Sequence, residues 1–156
     1  MGWTSLRDNR TLPVICALGS NSSQSVGNAT ITILPMTRFY VSDPLFYITE
    51  EGAVRITKPG TYAFDAGVYY SGSVGGSHGL ELAYTETLGA TTGLTRLYAA
   101  MYQNKGGGSM AHALPMKVVK ISNPCDMYLR AWVNADSGVC NLTSTGTFLN
   151  IIKLSN

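Results

Sequence analysis

Two histidines are the residues of this sequence best suited to proton transfer or metal binding. His78 lies in the glycine- and serine-rich run SGSVGGSHGLEL, with Glu81 three positions later, and His112 lies in an apolar stretch. Zinc sites need further ligands at fixed spacings, and the sequence contains neither an HExxH motif nor a phosphate-binding loop. We therefore expect no enzyme, no cofactor and no metal site, and we expect His78 to be an exposed loop residue.

Three cysteines, Cys16, Cys125 and Cys140, are a second source of chemistry. Their number is odd and their spacing is wide, without the CxxC pairs of a zinc knuckle or the density of a disulfide scaffold. We expect reduced thiols in the core. A bridge between Cys125 and Cys140 is an open alternative, because the two positions flank a predicted strand and its loop, where a hairpin could bring them close.

Carboxylates and aromatic side chains are spread over many short segments. The sequence has no D-x-D-x-D-G calcium loop, so the carboxylates are expected to cap turns or to face solvent. The aromatic residues could stack on sugars, but packing in a core or an interface is the favoured interpretation. The carboxylates considered are Asp43, Asp65, Glu81, Glu86, Asp126 and Asp136, and the aromatic set is Tyr69, Tyr70, Tyr84, Tyr98, Tyr102, Tyr128 and Trp132.

The composition indicates one β-rich domain. The chain has 156 residues, of which 45% are hydrophobic and 13% charged, and its formal net charge is +2. Charged residues make up about a quarter of an average chain, and here Gly, Ser, Thr, Asn and Tyr replace them, as in short strands joined by turns. The basic residues are scattered, which argues against a nucleic-acid partner, and no segment reaches the ~20 apolar residues of a membrane span. The first residues lack the apolar core of a signal peptide, so we expect synthesis in a cytoplasm and no membrane partner.

The elements that must position these residues are short strands separated by turns. Residues 1–30 are polar around one short apolar patch and are predicted to form an N-terminal arm and a flexible loop. About ten short strands follow, punctuated by turn pairs such as Pro59-Gly60 and Asn123-Pro124. No intervening segment is long enough for a crossover helix, so the sheets should be antiparallel. Residues 31–156 are therefore predicted to form an all-β antiparallel sandwich of the jelly-roll type.

Two of the predicted strands are apolar on both faces. The strand over residues 61–70 has one plain core face, made of Tyr62, Phe64, Ala66, Val68 and Tyr70. The strands over residues 110–119 and 146–154 instead carry apolar residues on both sides. In a β-sandwich, one face of a strand normally packs on the core and the other faces solvent. A strand that is apolar on both faces therefore needs another surface to bury its outer face. We expect other subunits of an oligomer to provide that surface.

Two long runs resemble a known family. GAVRITKPGTYAFDAGVYYSG and KISNPCDMYLRAWVNADSGVCNLTSTGTFLNIIKLSN are similar to parts of the jelly roll shared by tumour necrosis factor and the globular heads of the complement collagen-like proteins. The resemblance implies a homotrimer in which the sheet holding the first and last strands faces the threefold axis. Together with the two-sided strands, it predicts that His112, Leu114, Met116, Leu149 and Ile151 line the trimer interface. Three copies of His112 could meet there around an ion, although a satisfied polar interface residue is the favoured interpretation.

We expect this protein to lack the attachments of animal members of this family. The sequence has no collagen-like stalk, signal peptide or transmembrane anchor, and jelly rolls without them resemble virion proteins of tailed bacteriophages. The short segment before the jelly roll favours a trimeric capsid decoration (cement) protein, which stabilises a bacteriophage head by binding its major capsid protein. Such a protein would be made in the host cytoplasm and would lie on the capsid exterior.

The N-terminal arm is the predicted capsid contact. Its expected docking residues are Trp3, Leu12, Val14 and Ile15, because an aromatic and a few aliphatic side chains can supply most of a docking energy. Residues 12–18 could instead form the first strand of the jelly roll. The alternative function is a receptor-binding tip of a tail fibre or spike, in which the loops 71–79 and 89–93 recognise a host-surface glycan.

Overall fold

A computed structural model describes residues 14–19, 24–27, 29–41, 45–73, 76–104, 108–135, 140–142 and 146–156. Thirteen strands lie in this part of the chain: β1 (Val14–Gly19), β2 (Gln24–Val26), β3 (Ile31–Leu34), β4 (Met36–Val41), β5 (Phe46–Ile48), β6 (Val54–Ile56), β7 (Gly60–Ser73), β8 (Gly76–Thr85), β9 (Thr95–Asn104), β10 (Gly108–Ile121), β11 (Cys125–Ala135), β12 (Cys140–Leu142) and β13 (Phe148–Ser155). Trp3 and Leu12, two of the expected docking residues, lie outside the described residues. No helix among the described residues is long and apolar enough to cross a membrane.

The strands form two sheets. Sheet A has seven strands in the order β2-β12-β7-β13-β1-β4, with β10 paired to β7, and sheet B has six in the order β5-β6-β11-β8-β9, with β3 paired to β11. Every pair of neighbouring strands among the described residues is antiparallel. The all-β antiparallel jelly roll predicted from the sequence is confirmed.

The strand β1 belongs to sheet A. Its backbone pairs on one side with β13, where Val14 lies opposite Ile152 and Ile15 opposite Ile151, and on the other side with β4. Strand β2 also lies in this sheet, paired with β12. The expected arm over residues 1–30 therefore contributes two strands to the jelly roll, and Val14 and Ile15 lie in a central strand rather than in a docking arm. Of the alternative first strand over residues 12–18, the part that the structure describes, residues 14–18, lies in β1, and hydrogen bonding on both sides fixes this backbone in the sheet.

The core lies between the inner faces of the two sheets. The inner face of β7 is the one that the sequence predicts, since Tyr62, Phe64, Ala66, Val68 and Tyr70 are all at most 1% exposed. Sheet B contributes the alternate residues of β8 and β11, among them Leu80, Leu82, Met127 and Leu129. Each buried tyrosine hydroxyl of β7 finds a backbone acceptor: Tyr62 donates to the Lys58 carbonyl at 2.6 Å and Tyr70 to the Gly79 carbonyl at 3.1 Å. These two tyrosines therefore fill the core without leaving their hydroxyl groups unpaired.

Candidate functional site

The outer face of sheet A carries a group of apolar side chains that the sandwich leaves uncovered. In β13 the side chains alternate strictly: Leu149, Ile151 and Lys153 are buried, whereas Phe148, Asn150 and Ile152 are half-buried and Leu154 is exposed. In β10 Met116 is 61% and Val118 56% exposed, and Tyr69 of β7 is 37% exposed. We call this outward set, Tyr69, Met116, Val118, Phe148, Ile152 and Leu154, the apolar face.

Four of the five side chains expected at the trimer interface lie inside the sandwich instead. His112 is 4% exposed, Leu114 1%, and Leu149 and Ile151 are fully buried, so they have no surface to offer a second chain. Only Met116 of this set faces outward. The sequence correctly indicates strands that are apolar on both sides, but it does not show which of the two sides is the inner one.

A β-bulge explains why Met116 differs from its neighbours in β10. Leu114 pairs with Ala66 and Lys117 with Phe64, and both partners face inward. One extra residue therefore lies between two inward positions, which reverses the alternation after Leu114. Strict alternation would place Met116 on the buried side with Leu114, whereas the bulge turns it to the outside.

One polar pair lies within the apolar face. Asn150 and Asp65 are opposite each other on β13 and β7, and the Asn150 side-chain amide donates to Asp65 Oδ2 at 3.3 Å. Next to them Phe148 packs over Gly67, where a Cβ would lie 2.5 Å from the ring atom Cε1. The glycine lets the ring lie close to the sheet, so this part of the face is flat and suited to contact another flat surface.

The two histidines meet between the sheets, which the sequence does not reveal. His78 is fully buried in β8 rather than exposed in a loop, and its ring centroid lies 5.8 Å from that of His112. Tyr70 packs against both rings at 5.2 and 5.0 Å, and Tyr102 stacks on His112 at 4.1 Å. The signal in the sequence is weak, because 34 positions separate the two histidines and they lie in different sheets, His78 in β8 of sheet B and His112 in β10 of sheet A, so only the packing of the two sheets brings them together.

Burial keeps both imidazoles neutral. Burial, and to a smaller extent the neighbouring His78, lower the pKa of His112 to about 4. Burial also lowers the pKa of His78, although a hydrogen bond with the Gly76 backbone works against this shift. Neither ring nitrogen of His112 has a hydrogen-bond partner among the described residues. Two neutral rings enclosed by tyrosines are placed for packing, not for proton exchange with a substrate.

The sequence at residues 75–79, which runs into β8, is GGSHG and has the G-x-S-x-G spacing found at the nucleophile of α/β-hydrolases. That motif requires a sharp turn between a strand and a helix, whereas Ser77 lies in an antiparallel strand and its Oγ accepts a hydrogen bond from Gln103 Nε2 at 2.8 Å. The adjacent His78 points to the opposite side of the strand and cannot activate Ser77. The spacing therefore carries no nucleophile here. Most of the expected loop 71–79 is likewise strand.

Two buried carboxylates form ion pairs on the outer side of sheet B, where the sequence suggests turn caps or solvated groups. Arg55 binds Asp126 with two hydrogen bonds, Nε to Oδ1 at 2.6 Å and Nη2 to Oδ2 at 2.8 Å, and the Gly89 amide donates to Oδ2 at 2.7 Å. Burial alone would raise the pKa of Asp126, but these hydrogen bonds outweigh it and hold the pKa below its ordinary value. Asp126 is therefore ionised and fully paired.

Glu81 is the second buried carboxylate and contacts two arginines. Arg96 Nε donates to Oε2 at 2.6 Å, and Arg130 Nη2 lies 2.5 Å from Oε1. Glu81 has no exposed surface, whereas the Arg96 side chain is 58% exposed. Of the other carboxylates considered, Asp65 pairs with Asn150 and Glu86 accepts from Asn123, while Asp43 and Asp136 lie outside the described residues. Among the residues that the structure describes, no three His, Cys, Asp or Glu side chains are grouped to hold a metal ion.

Comparisons with known proteins agree on the architecture. The structure of Eiger TNF from S. frugiperda superposes with a TM-score of 0.68 over 93% of this chain and 94% of that one, at 14% sequence identity. Murine APRIL at pH 5.0 gives a TM-score of 0.63 over 92% of this chain and 99% of its own, also at 14% identity. The fold is a tumour-necrosis-factor-type jelly roll. No protein-family model and no curated protein sequence matches the chain, so the similarity is one of fold.

Proposed function

We propose that this tumour-necrosis-factor-type jelly roll works as a homotrimer whose apolar face is covered by two further copies of the chain. The observation that carries the proposal is the outward row of Met116, Val118 and Leu154, which are 61%, 56% and 40% exposed on one sheet. Contiguous exposed apolar side chains of this kind mark a protein contact. The family resemblance supports a threefold arrangement, because it places the sheet with the first and last strands at the axis, and β1 and β13 are neighbours in sheet A.

We further propose that the trimer is a non-enzymatic virion protein that decorates a bacteriophage capsid from the outside and binds its major capsid protein. The absence of catalysis is supported by the two histidines, which are enclosed between the sheets beyond the reach of a substrate. In this proposal the docking arm is limited to the residues before β1, with Trp3 and Leu12 as anchors, because Val14 and Ile15 are committed to sheet A. A receptor-binding tip is the second candidate, favoured by an aromatic groove on the outer side of sheet B.

The oligomeric state tests the first step. Light scattering coupled to size exclusion should give the mass of three 16.7-kDa chains for the unmodified protein at micromolar concentration. Met116→Asp places a charge in the apolar face and should yield monomers, because an unpaired charge opposes burial. Met101→Asp is a matched control, since Met101 is 63% exposed on β9 of the other sheet and should leave the trimer intact. A monomeric unmodified protein, or two variants that behave alike, would contradict the assignment.

Capsid binding tests the second step. Deletion of residues 1–12 leaves β1 complete and should give a folded trimer that no longer sediments with undecorated capsids, whereas the full chain does. A deletion extending into β1 would disrupt sheet A and could not separate docking from folding. If the shortened trimer decorates capsids with unchanged occupancy, the N-terminal arm is not the segment that binds the capsid. If the full chain binds host cells and not capsids, the receptor-binding role replaces decoration.

A further inference from the structure

A small groove lies on the outer side of sheet B, opposite to the apolar face. It is lined by Ala29, Ile31, Arg96, Trp132, Val133 and Asn134, and its volume is about 280 Å³. This is near the lower end of the roughly 300–1,000 Å³ typical of small-molecule sites. The groove therefore has room for one ring-sized ligand or the end of a longer chain. We call it the Trp132 groove.

The floor of the Trp132 groove is an indole ring held flat against the sheet. Trp132 and Gly79 are opposite each other on β11 and β8. A Cβ at Gly79 would lie 1.9 Å from Cε2 and 2.1 Å from Nε1 of Trp132, so the ring occupies the space that any other residue would fill. With one side of the indole on the glycine backbone, the other side is available to the groove. Ile31, which is 48% exposed, forms an apolar wall beside it.

The rim of the groove carries positive charge in a fixed position. Arg96 binds Glu81 through Nε, which orients the guanidinium while its Nη groups keep their N–H donors. Arg130 contacts the same carboxylate, so two arginines share one buried negative charge and the cluster is one positive charge in excess. The side-chain amide of Asn134, which also lines the groove, adds donors and an acceptor. Among the described lining residues none is acidic.

We propose that the Trp132 groove binds a carboxylate-bearing sugar ring, such as a terminal acidic residue of a surface glycan. The flat aromatic floor suits the apolar face of a sugar, the preoriented Arg96 suits its carboxylate, and Asn134 suits its hydroxyl groups. A stretch of nucleic acid is a poorer fit, because a single available arginine and no lysine line the groove. The site lies on the sheet opposite to the proposed trimer contact, so it does not depend on that contact.

Tryptophan fluorescence provides the test. The chain has two tryptophans, so a Trp3→Phe background leaves Trp132 as the sole indole reporter. In this background sodium glucuronate should change the emission with a saturable curve, and glucose should bind at least about tenfold more weakly because it lacks the charged group. Acetate, which has the carboxylate without the ring, should also bind at least about tenfold more weakly.

One variant isolates the charge. Asn134→Asp adds one negative charge to the rim, at an exposed position and with almost no change in side-chain size. It should weaken glucuronate binding by about tenfold or more and weaken glucose binding much less, because only glucuronate carries a charge that the new carboxylate repels. Arg96→Gln should reduce glucuronate binding to the level of glucose, and its thermal unfolding midpoint shows whether Glu81 tolerates the loss.

Three results would overturn the proposal. Tryptophan emission that does not change with glucuronate at any attainable concentration would show that the Trp132 groove does not bind acidic sugars. Equal binding of acetate and glucuronate would assign the site to anions without a sugar. Tighter binding of an N-acetylglutamate amide than of glucuronate would assign it to a peptide carboxylate.

Discussion

Acid should destabilise this protein well above the pH at which carboxylates are protonated, because of the buried histidine pair. In the native state the pKa of His112 is about 4, against an ordinary value of 6.5 for an exposed imidazole. The unfolded chain therefore binds more protons between these two values. Stability that is fully present above about pH 6.5 should fall as the pH is lowered and level off below about pH 4.

The size of the effect follows from the two pKa values. At about pH 5 nearly every unfolded chain carries a proton on His112 and few native chains do, so His112 alone removes about 2 kcal/mol relative to neutral pH. His78 acts in the same direction, since its pKa is also lowered by burial. Asp126, whose pKa lies below its ordinary value, loses its contribution only at more acidic pH, so its effect is separate.

Urea unfolding at fixed protein concentration measures this loss at about pH 7.5 and about pH 5. The control is His112→Phe, which retains a ring to stack on Tyr102 and removes the titrating group. We expect the variant to lose about 2 kcal/mol less than the unmodified protein over this interval. His112→Gln serves the same purpose should phenylalanine overpack the site. If the unmodified protein and both variants lose the same free energy, the neutral buried histidine is not the cause and the reasoning fails.

Two further substitutions or modifications are expected to have defined outcomes. Arg55→Ala leaves the fully buried Asp126 carboxylate without its main partner and should cost about 3–5 kcal/mol in urea unfolding, whereas Arg55→Lys should cost less; equal stability of Arg55→Ala and the unmodified protein would contradict the pairing. The Cys125 thiol is free and 1% exposed, and burial raises its pKa to about 12. It should therefore resist alkylation at neutral pH in the native protein and react after unfolding, and peptide mapping that finds rapid native modification would refute its burial.

The sequence carries the fold class because the relevant signals are local. Alternation in β7 identifies its inner face from five residues, and turn pairs such as Pro59-Gly60 separate the strands without any knowledge of their partners. The absence of crossover segments is enough to predict antiparallel sheets. Alternation, turn pairs and segment length depend only on residues within a few positions of each other in the sequence. A sequence pattern can therefore reveal them.

The residues for which the sequence pattern predicts the wrong environment depend on interactions outside that range. Leu114 and Met116 have the same apolar character, and only the bulge in β10 sends one to the core and the other to the surface. Glu81 has no local sign of a partner, because its arginines come from the two strands on either side of β8. The histidine pair requires two sheets to pack. The sequence pattern shows which strands are apolar. Strand register and sheet packing determine which face of each strand is buried and which residues it contacts.

The pairing of β1 with β13 has a consequence for biosynthesis. Val14 lies opposite Ile152, so hydrogen bonds in the middle of sheet A join segments synthesised far apart in time. β1 and β7 both pair with β13. During translation each of them therefore has one unpaired backbone edge exposed until β13 has left the ribosome. Sheet A can therefore close only after synthesis of this strand, through contacts of large sequence separation that form slowly. Until then the nascent chain is a substrate for chaperones and for pairing with other copies of itself.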